Sequence, residues 1–122
     1  ECDIYGHLNN ANYLQLLEAA RSEALYEMNL AQSDLQKKGI QLFVHYGEIS
    51  FIKAIDHDEV ITVKTCFTEI NRIKGKWHQE IYNATKEICF TADITIVFAS
   101  EGKAKRLPVE VFEQLLPYIE TK

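Results

Sequence analysis

Apolar positions recur along the chain in two rhythms, and the change between them divides it. Between residues 11 and 29, Tyr13, Leu16, Leu17, Ala20, Ala24 and Met28 recur at helical spacing. Such spacing lines one face of an α-helix, so a long helix is expected here. Asn9 or Asn10 is placed to cap it, because an Asn side chain accepts hydrogen bonds from the first unpaired backbone N–H groups. Glu18 and Arg21 lie three residues apart on the polar side and are expected to pair. After Met28 the pattern weakens into one further short turn, closed by Gly39.

From residue 40 the period falls to two. The segments "IQLFVHYGEISFIK", "EVITVKTCFTEI", "KWHQEIYNAT" and "ICFTADITIVFAS" are rich in aromatic and β-branched residues and read as strands. In the last of them Ala92, Ile94, Ile96 and Phe98 share one face, and Asp93, Thr95 and Val97 the other. A turn is expected near Asn71–Gly75. Pro108 is placed to open a short C-terminal helix, "VEVFEQLLPYI". Helix, four strands and short helix, joined by short connections, point to an α+β chain with an antiparallel meander rather than βαβ units. The first helix is the only long element able to cover a sheet face, so the sheet is expected to curl around it.

Composition narrows the possibilities. A chain of 122 residues is expected to form one domain, residues 1–122, with enough length for a real core. A hydrophobic fraction of 47% with abundant aromatic residues opposes disorder. The net charge of −5 argues against a general nucleic-acid binder, which needs a basic surface. No apolar run approaches a membrane span, and no signal peptide opens the chain. Cys2, Cys66 and Cys89 are odd in number and widely spaced, which fits a reducing, cytoplasmic setting. The sequence does not open on Met, so further residues are expected upstream.

One constellation remains. Asp3, Gly6, His7, Asn9, Asn10 and Tyr13 stand in the order D-x-x-G-H-x-N-N-x-x-Y, and the helix that follows carries Glu18 and Arg21 as E-x-x-R. This pattern resembles the hot-dog-fold acyl-CoA thioesterases of the 4-hydroxybenzoyl-CoA thioesterase-like superfamily. Cys2 ahead of it fits, as does Arg106-Leu107-Pro108 before the last helix, so the resemblance covers nearly the whole chain. It implies an antiparallel sheet curled around one long central helix. It also implies a further N-terminal strand ahead of the motif, missing here because the sequence starts inside the motif.

The implied activity is hydrolysis of a fatty or aromatic acyl-CoA to free acid and CoA. Helix starts present unpaired N–H groups and partial positive charge, which suit a developing oxyanion. By resemblance, the donor is the backbone N–H near Asn10. Asp3 then attacks the carbonyl or activates water, and the residues do not choose between these. His7 bonds the thioester carbonyl or orients the carboxylate, unless it only fastens the loop. Gly6 permits close approach of the acyl group, and Tyr13 packs or lines its pocket. Glu18 serves as the catalytic carboxylate in some relatives, but with Asp3 present it reads as part of an ion pair. Cations are expected to meet the phosphates of CoA: Arg72 and Lys74 near one turn, with Lys76, and Lys105 and Arg106 after the last strand, with Lys103.

No separate cofactor is implied, since CoA is part of the substrate, and no spacing supports a metal. The resemblance implies a homodimer or homotetramer with the acyl site between subunits and Phe43, Tyr46 and Phe51 among its walls. Two other readings stay open: a non-catalytic acyl-CoA-binding protein on the same fold, and a hydrolase of acyl groups on acyl carrier protein.

Overall fold

The computed structural model describes residues 2–5, 10–30, 32–55 and 59–119. Its elements are β1 (Cys2–Tyr5), α1 (Asn10–Glu27), α2 (Gln32–Lys37), β2 (Gln41–Phe51), β3 (Val60–Ile70), β4 (Lys74–Tyr82), β5 (Ile88–Ser100), β6 (Lys103–Ala104) and α3 (Val109–Leu115), followed by a 3-10 turn at Leu116–Tyr118.

The long elements follow the two rhythms. Along α1 the side chains of Tyr13, Leu16, Leu17, Ala20, Leu25 and Met28 are buried. Along β5 the alternation buries Ala92, Ile94, Ile96 and Phe98 and leaves Asp93, Thr95 and Val97 half-exposed. The inward rows of β3, β4 and β5 close on α1 to form the core, in which Trp77 packs against Phe67 with ring centroids 4.4 Å apart. Burial of each such ring contributes on the order of 2–3 kcal/mol. Gly39, at φ +74°, ends the α2 segment in the left-handed region open to glycine. Pro108 caps α3, and Pro117 lies in the tighter turn that follows it.

The strand order is β1-β3-β4-β5-β2, with β6 paired to the end of β5 and every pairing between strands antiparallel. Two features depart from the sequence reading. Only β3, β4 and β5 form a meander; β2 crosses to the far side of β5, where Gln41 pairs with Ala99 and Phe51 with Phe90. The edge of β3 is taken by β1, a strand where the loop-forming residues of the motif predict none, with Cys2 opposite Val63 and Tyr5 opposite Val60. This strand belongs to the motif itself. The curled antiparallel sheet on one long helix agrees with the fold expected.

β2 is therefore an edge strand. Its pairing with β5 shifts register between Val44 and Tyr46, leaving His45 as a bulge. Almost every residue of β2 is exposed, on both faces of the strand.

Candidate active site

The site begins where β1 hands over to α1. The backbone of Asp3 is paired to Thr62 in the sheet, and Asn10 is the first residue of α1. The side chains of Asp3 and Asn10 lie outside the described structure, as do residues Gly6 and His7. The geometry on view is thus the frame that carries them. An 18-residue helix starts beside the β1 edge, and its first turn holds no acidic residue. The first N–H groups of a helix have no partner within it, and no acidic side chain of that turn itself offsets their positive potential.

Beneath the helix start lies an aromatic cluster. The Tyr13 ring stacks on Phe90 at 4.9 Å and 16°, and Phe51 stands edge-on to both, at 5.7 and 6.3 Å. These are the offset and T-shaped geometries that ring quadrupoles favour. Tyr13 and Phe90 are buried, whereas Phe51 at the end of β2 is 54% exposed. Burial, with the nearby Cys89 thiol adding to it, pushes the Tyr13 phenol above its ordinary pKa.

Two turns further along α1 the core becomes polar. Gln79 points inward from β4 and is fully buried. Its Nε2 donates to the Leu17 carbonyl at 2.9 Å and to Thr65 Oγ1 at 3.2 Å, and its Oε1 accepts from Arg21 Nη1 at 2.9 Å. Arg21 is thus held by Gln79; Glu18, with which it was expected to pair, acts on it at longer range. Burial lowers the Arg21 pKa and the charge of Glu18 works against that. Arg21 lines a groove of about 270 Å³ between α1 and β2, with Glu18, Ser22 and Leu25 from the helix, Leu42, Phe43 and Val44 from β2, and Trp77 and Ile96 beneath. Sequence reading missed Gln79, although alternation places it between Trp77 and Ile81, on a face otherwise apolar.

The expected phosphate-binding cations sit elsewhere. Arg72 ties the chain to itself: its Nε donates to the Leu107 carbonyl at 2.8 Å, and the Leu107 amide donates to the Arg72 carbonyl at 2.7 Å. Lys74 is exposed and lines a second cavity of about 270 Å³ with Glu69, Asn71, Gly75, Lys76 and Thr95. Lys105 and Arg106 are exposed and line a shallow cleft with Lys38. All four stand at the end of the sheet where Lys74 pairs with Val97 and Gln41 with Ala99, whereas the helix start adjoins the end where Tyr82 pairs with Thr62 and Phe51 with Phe90. From Phe90 to Val97 is seven residues of strand, or about 23 Å. One subunit alone does not bring these cations to its own helix start.

The convex face carries a separate network. His78 lies between Asp93, at 2.9 Å from Nδ1, and Glu80, at 3.1 Å from Nε2, and the Tyr82 hydroxyl donates to Glu80 at 2.7 Å. Burial pushes the Glu80 carboxyl up, but the bonds from Tyr82 and His78 outweigh it and hold its pKa below the usual value. These outward residues of β4 and β5 face away from α1. Among the described residues no three His, Cys, Asp or Glu side chains are grouped to hold a metal ion. No described helix is long and apolar enough to cross a membrane.

Comparison with known proteins places the chain. The sequence profile of the Thioesterase-like superfamily matches residues 1–115. A Synechocystis protein named as an esterase is 33% identical over 118 residues, covering 93% of this chain and 71% of its own length. A Bacillus subtilis protein named as an acyl-CoA thioesterase is 30% identical over 92 residues, covering 75% of this chain and 67% of its own. The crystal structure of the DHNA-CoA thioesterase from Staphylococcus aureus superposes with a TM-score of 0.86 at 22% identity, covering 95% of this chain and 87% of that one. A profile spanning nearly all of the motif, helix and sheet, together with this shape, shows that the chain belongs to the thioesterase-like superfamily and is a thioester hydrolase on the hot-dog fold.

Proposed function

We propose that the protein hydrolyses an acyl-CoA thioester to the free acid and CoA at the start of α1. The observation that carries this reading is the placement of Asp3 on a strand and Asn10 at the first position of a long helix, with no acid in its first turn. Asn10 contributes its backbone N–H to the oxyanion, and Asp3 supplies the carboxylate that attacks the carbonyl or activates water. His7 hydrogen-bonds the thioester or orients Asp3, Gly6 leaves room for the acyl group, and Tyr13 forms the pocket wall. CoA enters as part of the substrate, and no further cofactor takes part. The family membership and the relative named as an acyl-CoA thioesterase support this substrate class.

The active form in this reading is a dimer joined through β2. That edge is eleven residues long, has no strand on its outer side among the described residues, and exposes Phe43, Val44, Tyr46, Ile49 and Phe51 at 46–58%. A long hydrophobic edge of this kind is a template for another strand. Antiparallel pairing of two β2 strands about Tyr46 sets the Phe51 end of each opposite the Gln41 end of the other. Arg72, Lys74, Lys105 and Arg106 of one subunit then approach the helix start of its partner, where they meet the phosphates of CoA.

Release of free thiol from a panel of acyl-CoA substrates tests the reading. The wild type is expected to turn over at least one of them, and Asp3→Asn to lose about a hundredfold or more in kcat. Equal rates would remove Asp3 from the mechanism. Binding without turnover by either protein would leave an acyl-CoA-binding module, and preference for carrier-bound acyl groups would move the substrate to acyl carrier protein.

A further inference from the structure

The strand that carries Asp3 and the helix that begins at Asn10 are both fastened to β3. Asp3 in β1 pairs with Thr62 of β3. Three residues further along β3, Thr65 stands opposite Gln79 of β4, and its Oγ1 accepts from Gln79 Nε2 at 3.2 Å. The same Nε2 donates to the Leu17 carbonyl at 2.9 Å, and Gln79 Oε1 accepts from Arg21 Nη1 at 2.9 Å. Leu17 and Arg21 are four residues apart on α1, so one buried amide grips one turn of the helix at both its ends.

The rest of the inward face of α1 is apolar: Tyr13, Leu16, Ala20, Leu25 and Met28. Apolar contacts have no direction, so they resist lifting the helix off the sheet more than a small slide along its axis. Hydrogen bonds weaken steeply away from their preferred geometry, and a buried amide with its bonds made rigidifies what it joins. The Leu17 carbonyl has two lone pairs, one for the bond within the helix and one for Gln79. Asn10 lies seven residues before Leu17, about 10 Å along the helix axis. Thr62 lies three residues before Thr65, about 10 Å along the strand. A rigid helix and a rigid strand carry the setting made at Gln79 over both distances.

We propose that Gln79 is a positioning residue for the reaction at the start of α1: by tying Leu17 and Arg21 to Thr65, it sets where the Asn10 amide stands relative to the strand that carries Asp3. The proposal rests on the acyl-CoA reading above and deepens it. Gln79 acts through the helix, two turns from the amide it places. A misplacement of about 1 Å between reacting groups costs about a hundredfold in rate, so a side chain remote from the thioester governs kcat.

The test begins with Gln79→Met, which keeps the length of the side chain and removes all three bonds. With an acyl-CoA that the wild type turns over, and well below the denaturation midpoint, kcat is expected to fall about ten- to a hundredfold with KM within about threefold. Thr65→Val removes one bond of the three and is expected to fall between. Leu115→Ala opens a cavity in the core on α3 and leaves the bonds of Gln79 in place. It is expected to lower the denaturation midpoint at least as far as Gln79→Met, with kcat within about threefold. If kcat followed the loss of stability alike in the two variants, Gln79 would be an ordinary core residue and the proposal would be overturned.

A double-mutant cycle reads the route. Asn10→Pro removes the N–H that Gln79 is held to place. Substitutions this far apart normally add, but here Gln79→Met is expected to lower kcat by no more than about threefold further in the Asn10→Pro background. Full additivity would overturn the proposal. Crystal structures give a readout without turnover: with β3, β4 and β5 superposed, the Asn10 backbone of Gln79→Met is expected to shift by about 1 Å or more against Thr62, and an unmoved helix would overturn the placement. Failure of the wild type to hydrolyse any acyl-CoA would overturn the acyl-CoA reading instead, and the crystal comparison would still decide whether Gln79 sets the helix.

Discussion

The two ends of the sheet carry different chemistry. At one end β1 leads into α1, and the neighbours of that junction are rings: Tyr13, Phe51 and Phe90. At the other end stand Arg72, Lys74, Lys105 and Arg106, about 23 Å away along β5. A thioester of CoA needs both, a dry place for acyl transfer and cations for phosphate. A single subunit holds them apart. The exposed edge of β2 is the element whose two-fold pairing sets one end against the other, so it links fold to function in the proposed enzyme.

The strongest way to break that comparison is to break the edge. Ile49→Lys together with Val44→Lys puts charged side chains into the proposed apolar strand pair, and lysines on an edge strand oppose edge-to-edge pairing. The expected outcome is a folded monomer by light scattering with activity near background; a fully active monomer would end the two-ended scheme. Next in size is Asn10→Pro. Proline is tolerated at the first helical position but has no N–H, so kcat is expected to fall about a hundred- to a thousandfold, with Asn10→Ala much milder. A smaller effect is expected at the cationic end. Lys74→Glu with Lys105→Glu should raise KM about tenfold, leave kcat unchanged, and flatten the dependence of KM on salt.

The smallest effect sharpens the comparison from outside it. Glu87 is held well below the usual carboxylate range, at about 2, by hydrogen bonds from Lys53, Asn83 and Thr85. A carboxyl depressed by folding stabilises the protein above its unfolded pKa, and that contribution disappears as pH falls through the folded value. Glu87→Gln is therefore expected to lower the denaturation midpoint slightly near neutral pH and to remove part of the loss between about pH 5 and pH 2. Activity at neutral pH should stay unchanged, because Glu87 is an exposed turn residue whose partners, Lys53, Asn83 and Thr85, are not among the proposed site residues.

Much of this architecture is written locally. The span of β5 follows from its alternation, and α1 from the spacing of Tyr13, Leu16, Leu17 and Ala20, because burial of one face fixes both periods. Strand order is not local. The pattern of β2 would be the same beside β3 or beside β5, and it is the observed order, with β1 on the edge of β3, that places it beside β5. β1 itself is four residues long, too short for a period to show against a motif rich in loop-forming residues. The resemblance sets Phe43, Tyr46 and Phe51 of β2 as walls of an acyl site between subunits, but alternation alone does not reveal that this strand lies exposed at the edge of the sheet. In the site, Asp3, His7 and Asn10 are singled out by the resemblance that their spacing carries, and their side-chain geometry lies outside the described residues. Gln79 left a detectable sign: an amide on an inward row must find partners, and it does so in Leu17, Thr65 and Arg21.

Gly75 points to a different kind of consequence. A Cβ there would sit 2.7 Å from two atoms of the Phe67 ring, which itself packs on Trp77. The residue beside it, Lys74, is exposed at the tip of the same hairpin. Mutational drift is therefore free to exchange the tip's charges one substitution at a time, while the root of the hairpin admits almost none. In the proposed enzyme, where Lys74 meets the carrier's phosphates, descendants can change which carrier they greet long before they change how they cut.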